Sequence, residues 1–236
     1  MLMEATPGWC PADQLTTLYE LVCSLEGIEG DIVEIGSWCG RSAAVLGFAS
    51  QKIGSTKVYC VDLFPELDDW KKNVDGTYSF SVSIDGVVYR GCEYQTVWSD
   101  VFHRDIVPAY SDFGSPRNKF WTTIRTNGLQ DVITEFKGTS GLFVRSVESG
   151  FRCKLAFIDG EHSYEAVADD ILNVEPLLVD GGLLCFDDAF SEYKGVDRAV
   201  REFVIESGLY ADCRQVTRKM FIARKTSASP PCANMT

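Results

Sequence analysis

The chain has 236 residues, 45% of them hydrophobic, and a formal net charge of −12, which suits one α/β domain with embellishments and a substantial core. So acidic a chain argues against nucleic acid, whose binding rests on neutralising phosphates, and against anionic membranes; a small-molecule partner fits better. No apolar run reaches the roughly 18 residues of a membrane span, and Met1 to Asp13 lacks the basic and apolar regions of a signal peptide, so a cytoplasmic location is expected.

Leu15, Leu18, Tyr19, Val22 and Leu25 form a helical stripe, which predicts a helix from about Ala12 to Leu25 ended by Gly27 and Gly30. Ile32 to Ile35 reads as the first strand, Ser42 to Ser50 as a helix closed by Gly54, and Lys57 to Leu63 as the second strand, with Asp62 at its end. From Pro65 to Ser115 the rhythm breaks. Ser79 to Ile84 alternates with period two, Asp85-Gly86 follows, and Val87 to Tyr89 resumes, which is a β-hairpin signal. Trp70, Phe80, Tyr89, Trp98 and Phe102 predict an ordered insertion of about residues 65–115. It reads as a cover over a substrate, with a decoration or an oligomer contact as the alternative.

The alternation then returns. Helices are predicted over Lys119 to Thr126, from Gly138-Thr139-Ser140 onward, over Tyr164 to Leu178 and over Val196 to Ser207. Strands are predicted over Val132 to Phe136, Lys154 to Asp159 and Gly182 to Phe186, with a late antiparallel pair at Ala211 to Val216 and Met220 to Lys225. Arg117, Lys119 and Arg125 read as a solvated helix face. The tail, 226–236, with Ser229-Pro230-Pro231, is expected to be disordered. Alternating strands and helices imply a doubly wound, mostly parallel Rossmann-like sheet of seven strands, the last antiparallel, in one domain over 1–225. The nine cysteines form no C-x-x-C pair; Cys60, Cys153 and Cys185 read as core residues.

Ligands of such sheets bind outside the carboxyl ends of the strands, and Glu34, Asp62, Asp159 and Asp187 all fall there. Clustered carboxylates repel one another unless cations neutralise them. The first turn, Asp31-Ile32-Val33-Glu34-Ile35-Gly36-Ser37-Trp38-Cys39-Gly40-Arg41-Ser42, joins a buried strand to a helix through glycines. Trp38 and Arg41 stand where a dinucleotide fingerprint needs its second and third glycines, which counts against a nicotinamide oxidoreductase. Two further motifs follow: Ile158-Asp159-Gly160-Glu161-His162-Ser163-Tyr164, and Pro176-Leu177-Leu178 to Gly181-Gly182 leading into Asp187-Asp188.

In this order the three motifs resemble class I S-adenosylmethionine-dependent methyltransferases of family 24, related to metal-dependent macrolide-sugar O-methyltransferases. The resemblance spans roughly Trp9 to Lys225 without the insertion. It implies that Glu34, Gly36, Ser37, Gly40 and Ser42 surround the methionine part of the cofactor and that Asp62 binds its ribose. It places Gly138 to Ser140 near the adenine, and Asp159 beside the cofactor as well. It also implies that Asp159, Asp187 and Asp188 hold Mg²⁺ or Mn²⁺, with His162 as general base. Hard oxygen donors without thiolates suit such ions, which would lower the pKa of a bound hydroxyl. The implied activity is methylation of a small-molecule hydroxyl on a sugar, polyketide or other natural product. N-methylation, a non-catalytic binding module and a homo-oligomer stay open. The readings of Asp187-Asp188 and of His162 as mere helix caps also stay open at this point.

Overall fold

In the first strand, successive apolar side chains point to opposite faces, and both faces are covered. β1 (Asp31–Ile35) sends Ile32 into one apolar cluster and Val33 and Ile35 into another. The same alternation divides β8 (Leu178–Phe186), with Leu183 and Cys185 on one side and Leu184 and Phe186 on the other. This two-sided burial is why these strands read as continuous apolar runs.

The computed structural model describes residues 6–54 and 56–227. The large sheet also contains β2 (Val58–Asp62), β6 (Ile133–Lys137), β7 (Cys153–Ile158), β9 (Tyr210–Gln215) and β10 (Phe221–Lys225). Its order is β6-β2-β1-β7-β8-β10-β9, parallel except for β10, which runs antiparallel to both neighbours. The seven expected strands are present, with the last one reversed. α1 (Ala12–Cys23), α2 (Arg41–Lys52) and α5 (Pro116–Thr126) cover one face, and α6 (Ser140–Ser146), α7 (Tyr164–Val174) and α8 (Lys194–Val200) the other. Cys60, Cys153 and Cys185 are free, buried core residues. Among the described residues, no helix is long and apolar enough to cross a membrane.

The helix expected over Val196 to Ser207 is α8 from Lys194 to Val200 continued by a π turn, Arg201–Ile205, and three other boundaries shift for local reasons. α5 starts earlier, at Pro116, because the Ser115 hydroxyl caps it by accepting from Asn118 N at 3.2 Å. α7 stops at Val174 and a single 3₁₀ turn, Glu175–Leu177, carries Pro176 into β8. β8 begins at Leu178 rather than Gly182, because Gly181, at φ +78°, lets the strand bulge against β7.

Between β2 and α5 the expected hairpin forms from β4 (Tyr78–Ile84) and β5 (Val87–Gly91) around Asp85-Gly86. The sequence reading missed a third strand, β3 (Trp70–Lys72), and a helical run made of α3 (Ser99–Val101), a π turn (Phe102–Ile106) and α4 (Val107–Phe113). Pro108 lies inside this helical run, immediately after the π turn. Phe102, Ile106 and Tyr110 make a small core of their own with Trp38, Trp70 and Tyr78. The ring of Tyr78 stacks on that of Phe102 at 3.8 Å. The expected tail lies almost wholly outside the described residues; Thr226 and Ser227 belong to no element.

The sheet centre holds the turn after β1 in place. Gly36 N donates to Val61 O at 2.8 Å, and Asp159 N donates to Ile35 O at 2.8 Å. Gly36 has φ +89°, and a Cβ there would stand 2.1 Å from the Asp159 carbonyl oxygen. Behind the turn, Glu34 is fully buried and its Oε2 accepts from the Ser37 hydroxyl at 2.5 Å. Burial pushes the Glu34 carboxyl up to about 7, against hydrogen bonds from Ser37, Ser42 and Cys60.

Two outcomes are expected. Gly36→Ala loses roughly 3 kcal/mol or more in urea unfolding, since the strained φ and the backbone collision add. A raised carboxyl keeps its proton in the fold while the unfolded chain has released it, so Glu34 makes stability fall as pH rises from about 4.5 to about 7. Glu34→Gln removes a decline of about 3 kcal/mol between pH 5 and pH 8, measured by urea unfolding at the two pH values. Asp170, also raised by burial to about 7, keeps its own share of the slope in that variant.

Candidate active site

The carboxyl edge of the sheet gathers the residues singled out by the sequence. The Asp62 carboxylate ends β2 and ties itself to the first turn. Its Oδ2 accepts from Ser37 N and Trp38 N, each at 2.9 Å, and its Oδ1 from Phe64 N at 2.7 Å. Burial raises its pKa while these three N–H groups oppose the rise. The side chain remains partly exposed, and a carboxylate offers about four lone-pair sites. Asp62 can therefore still accept from a ligand hydroxyl. Trp38 has φ +45°, so the turn is held in a conformation that the surrounding bonds must enforce.

The other residues of the first motif divide by role. Gly36 and Gly40 leave the turn's backbone bare of side chains. The side chains of Glu34, Ser37 and Ser42 are buried and face one another behind it, so they brace the turn rather than line its open side. Ser140 is buried as well. Its hydroxyl donates to Asp170 Oδ1 at 2.5 Å and accepts from Asn173 at 3.1 Å, which leaves its backbone alone to face a ligand.

The second cluster sits after β7 and β8. Asp159 and Asp187 lie one residue past their strands, and Asp187 N continues the ladder to Ile158 O at 3.0 Å. His162 Nε2 is 3.8 Å from Asp159 Oδ1, and its Nδ1 is 3.7 Å from Asp188 Oδ2. Its ring lies 4.5 Å from that of Tyr193. The His162 Nε2 atom is buried with no hydrogen-bond partner, and burial lowers the imidazole pKa against the pull of Asp188 and Asp187. Neither cap reading holds. Ser163 caps α7 by accepting from Ala166 N at 3.3 Å, and α8 carries no side-chain cap.

Three members of this cluster carry no mark in the sequence motifs. Lys219, in the turn between β9 and β10, places Nζ 2.8 Å from Asp187 Oδ2 and 3.4 Å from Asp188 Oδ1. Gln14 of α1 donates to Asp187 Oδ1. Cys10 Sγ lies 3.5 Å from Asp159 Oδ2. Gln14 was readable in principle, since it shares the i, i+4, i+8 stripe of Leu18 and Val22. Lys219 was not, because a lysine in a hairpin turn looks like a solvated charge. Burial and the charge of Asp187 push Asp159 well up. Burial, the largest influence, would raise Asp187 too, but the Lys219 ammonium and the hydrogen bonds from Asp159, Lys219 and Gln14 together outweigh it and the carboxyl falls below its usual range.

The donor chemistry suits a hard divalent cation, but the arrangement does not. The three expected ligands split between two groupings, one of Cys10, Asp159 and Asp187 and the other of His162, Asp187 and Asp188. Both oxygens of Asp187, the shared member, already accept from protein donors. An ion at the roughly 2.1 Å that Mg²⁺ demands would have to compete with the ammonium for the same lone pairs.

A cavity of about 380 Å³ opens beside the first turn, lined by Trp9, Trp38, Arg104, Asp105, Pro108 and Phe113 among others. The residue after Trp9 is Cys10, so this wall leads directly to Asp159. A second cavity, of about 450 Å³, lies around Ile28, Arg152 and Leu178 at the opposite edge of the sheet and holds none of these residues.

Several solved structures share the fold at low identity. The O-methyltransferase NovP is 18% identical with TM-score 0.64, over 91% of this chain and 80% of that one. The calicheamicin methyltransferase CalS11 is 16% identical with TM-score 0.60, over 91% and 80%. The O-methyltransferase TomG of Streptomyces achromogenes, solved with S-adenosylmethionine, is 12% identical with TM-score 0.55, over 92% and 81%. A methyltransferase-domain family model matches residues 33–189, from inside β1 to just past Asp188, and so takes in the second and third motifs and the first from Val33 onward. The chain belongs to that family, methyltransferase family 24, and is a class I S-adenosylmethionine-dependent methyltransferase.

Proposed function

We propose that the protein methylates a hydroxyl oxygen of a small natural product, with His162 as the base. The observation that carries this reading is the buried, unpartnered His162 Nε2 beside Asp159, whose carbonyl packs on Gly36 of the first turn. A neutral imidazole nitrogen is suited to remove a hydroxyl proton, and an unpaired polar atom held out of water is ready for a ligand proton.

S-adenosylmethionine suits the residues at the first turn. Gly36 and Gly40 hold the turn at positive φ, packed against Asp159 and Phe120, so that its backbone is offered to the methionine part, and Asp62 has acceptor capacity left for the ribose hydroxyls. Glu34, Ser37 and Ser42 support this surface from behind. When bound, the cofactor supplies an electrophilic methyl group on a sulfonium. His162 takes the acceptor proton, and the carboxylates of Asp188 and Asp187 favour the imidazolium that results. Alignment of acceptor and donor by this rigid edge supplies much of the rate. We assign no step to Mg²⁺ or Mn²⁺, because Lys219 and Gln14 already occupy Asp187.

We place the acceptor against Trp9 and Trp38, whose rings lie 5.8 Å apart. The partly apolar wall suits an acceptor with an apolar face, in keeping with the natural-product O-methyltransferases that share the fold. The insertion reaches the same place, since Gln95 Oε1 accepts from His162 N at 2.8 Å.

His162→Gln is expected to lower kcat about 10²–10⁴-fold, the usual worth of a general base, while calorimetry with S-adenosylmethionine shows unchanged binding. A variant that keeps the full rate would sink the base assignment. Trp9→Ala is expected to raise the acceptor KM roughly tenfold with kcat nearly unchanged, because a remote aromatic contact contributes binding energy rather than chemistry. An unaltered KM would remove the acceptor from this wall.

A further inference from the structure

A buried lysine is rare unless it is paired, and Lys219 is 8% exposed. The turn that carries it is fixed. Val216 N donates to Met220 O at 2.8 Å, Met220 N donates to Thr217 Oγ1 at 3.0 Å, and the Gln215 amide donates to Arg218 O at 2.6 Å. Met220 is fully buried in the core beside Leu183, Cys185 and Ile222. The lysine is thus held over the sheet edge by its own hairpin.

The ammonium meets Asp187 Oδ2 at 2.8 Å and both Asp188 oxygens at 3.4–3.5 Å. Gln14 takes the remaining oxygen of Asp187, and Cys10 and His162 flank Asp159. Around this edge, then, the charge that a divalent ion would neutralise is already met by the protein. A lysine ammonium is a compact charge with three donors, and two of them face Asp187 and Asp188.

We propose that Lys219 is the resident cation of this cluster, a tethered ammonium standing where a divalent ion would otherwise sit among Asp159, Asp187 and Asp188. The proposal rests on the methyl-transfer reading only for its catalytic meaning. On that reading the ammonium keeps positive charge beside the oxygen that loses its proton to His162, and leaves the protein independent of added metal. The electrostatic part rests on geometry alone. Two cations bound to one buried carboxylate repel each other, so Lys219 and a divalent ion exclude one another.

The test is a Mn²⁺ titration of the purified full chain, followed by calorimetry and by the loss of free-ion resonance, on wild type, Lys219→Arg, Lys219→Gln and Lys219→Gln/Asp187→Asn. Wild type and Lys219→Arg are expected to show no saturable site up to about 1 mM, the weak end of protein sites for hard divalent cations. Lys219→Gln is expected to bind one Mn²⁺ at least tenfold tighter, and Asp187→Asn to abolish that gain. Saturable binding to wild type as tight as to Lys219→Gln would overturn the proposal, and so would a folded Lys219→Gln that binds no Mn²⁺. The wild-type arm decides by itself if the variant fails to fold, since a saturable site with Lys219 in place contradicts mutual exclusion. S-adenosylmethionine binding, measured on the same samples, separates the two readings. Its absence from wild type would count against methyl transfer and leave the Lys219 result standing.

Discussion

The site depends on how closely two strand ends approach at the centre of the sheet. β1 and β7 are adjacent, and beyond them the chain winds in opposite directions, so their following loops part on either side of one crevice. The carbonyl of Asp159 presses on Gly36 so tightly that no side chain fits between them. This contact fixes the distance between the turn suited to a methyl donor and the loop that carries Asp159 and His162. A methyl transfer needs its two reactants aligned within a fraction of an ångström. Here the alignment is set by a backbone contact within the sheet, not by flexible side chains.

Electrostatics supplies the second constraint. Four acidic groups at one edge would repel one another, and the protein settles each differently. Glu34 is buried and leans towards its neutral form. Asp62 is satisfied by three backbone N–H groups. Asp159 is driven towards protonation by burial and by Asp187, and Asp187 is held below its usual range by Lys219, Asp159 and Gln14 together, against its own burial. A splitting of this kind gives neighbouring carboxyls distinct roles, one able to donate a proton and the other fixed as a negative charge. It also explains why Gln14 and Lys219 come from the two ends of the chain. The large sheet places its last strand, β10, next to β8, and α1 packs across α2 on the same face.

The sequence made much of this legible, for identifiable reasons. The parallel strands are apolar on both faces, so their runs stood out, and the acids at their ends followed from the strand boundaries. The Asp85-Gly86 turn announced its hairpin through local chemistry. What stayed hidden depended on tertiary contact. Lys219 differs from any turn lysine only by what lies above it in space, and Ser140 faces Asp170 because of how α6 packs on α7. The helical run from Ser99 to Phe113 carries a π turn and an internal proline, which blur a 3.6-residue period. β3 is three residues long and forms only because β4 offers it an edge.

The insertion has a core of its own and is tied to the loop that carries His162. Its own core, from Trp70 to Tyr110, closes through a bond from the indole of Trp70 to the Tyr110 hydroxyl at 2.9 Å, and that hydroxyl donates to Pro65 O at 2.7 Å. It grips the His162 loop at three points. Glu161 accepts from Cys92 N at 2.9 Å and from Tyr94 N at 3.4 Å, and Gln95 accepts from His162 N at 2.8 Å. In every case the loop or the insertion contributes a backbone N–H, so two side chains, Glu161 and Gln95, carry these three bonds. The remaining surface of the insertion is then free to differ in sequence without releasing its hold. A segment anchored in this way can change in sequence while His162, held through its own backbone, keeps its place beside Asp159 and Asp188.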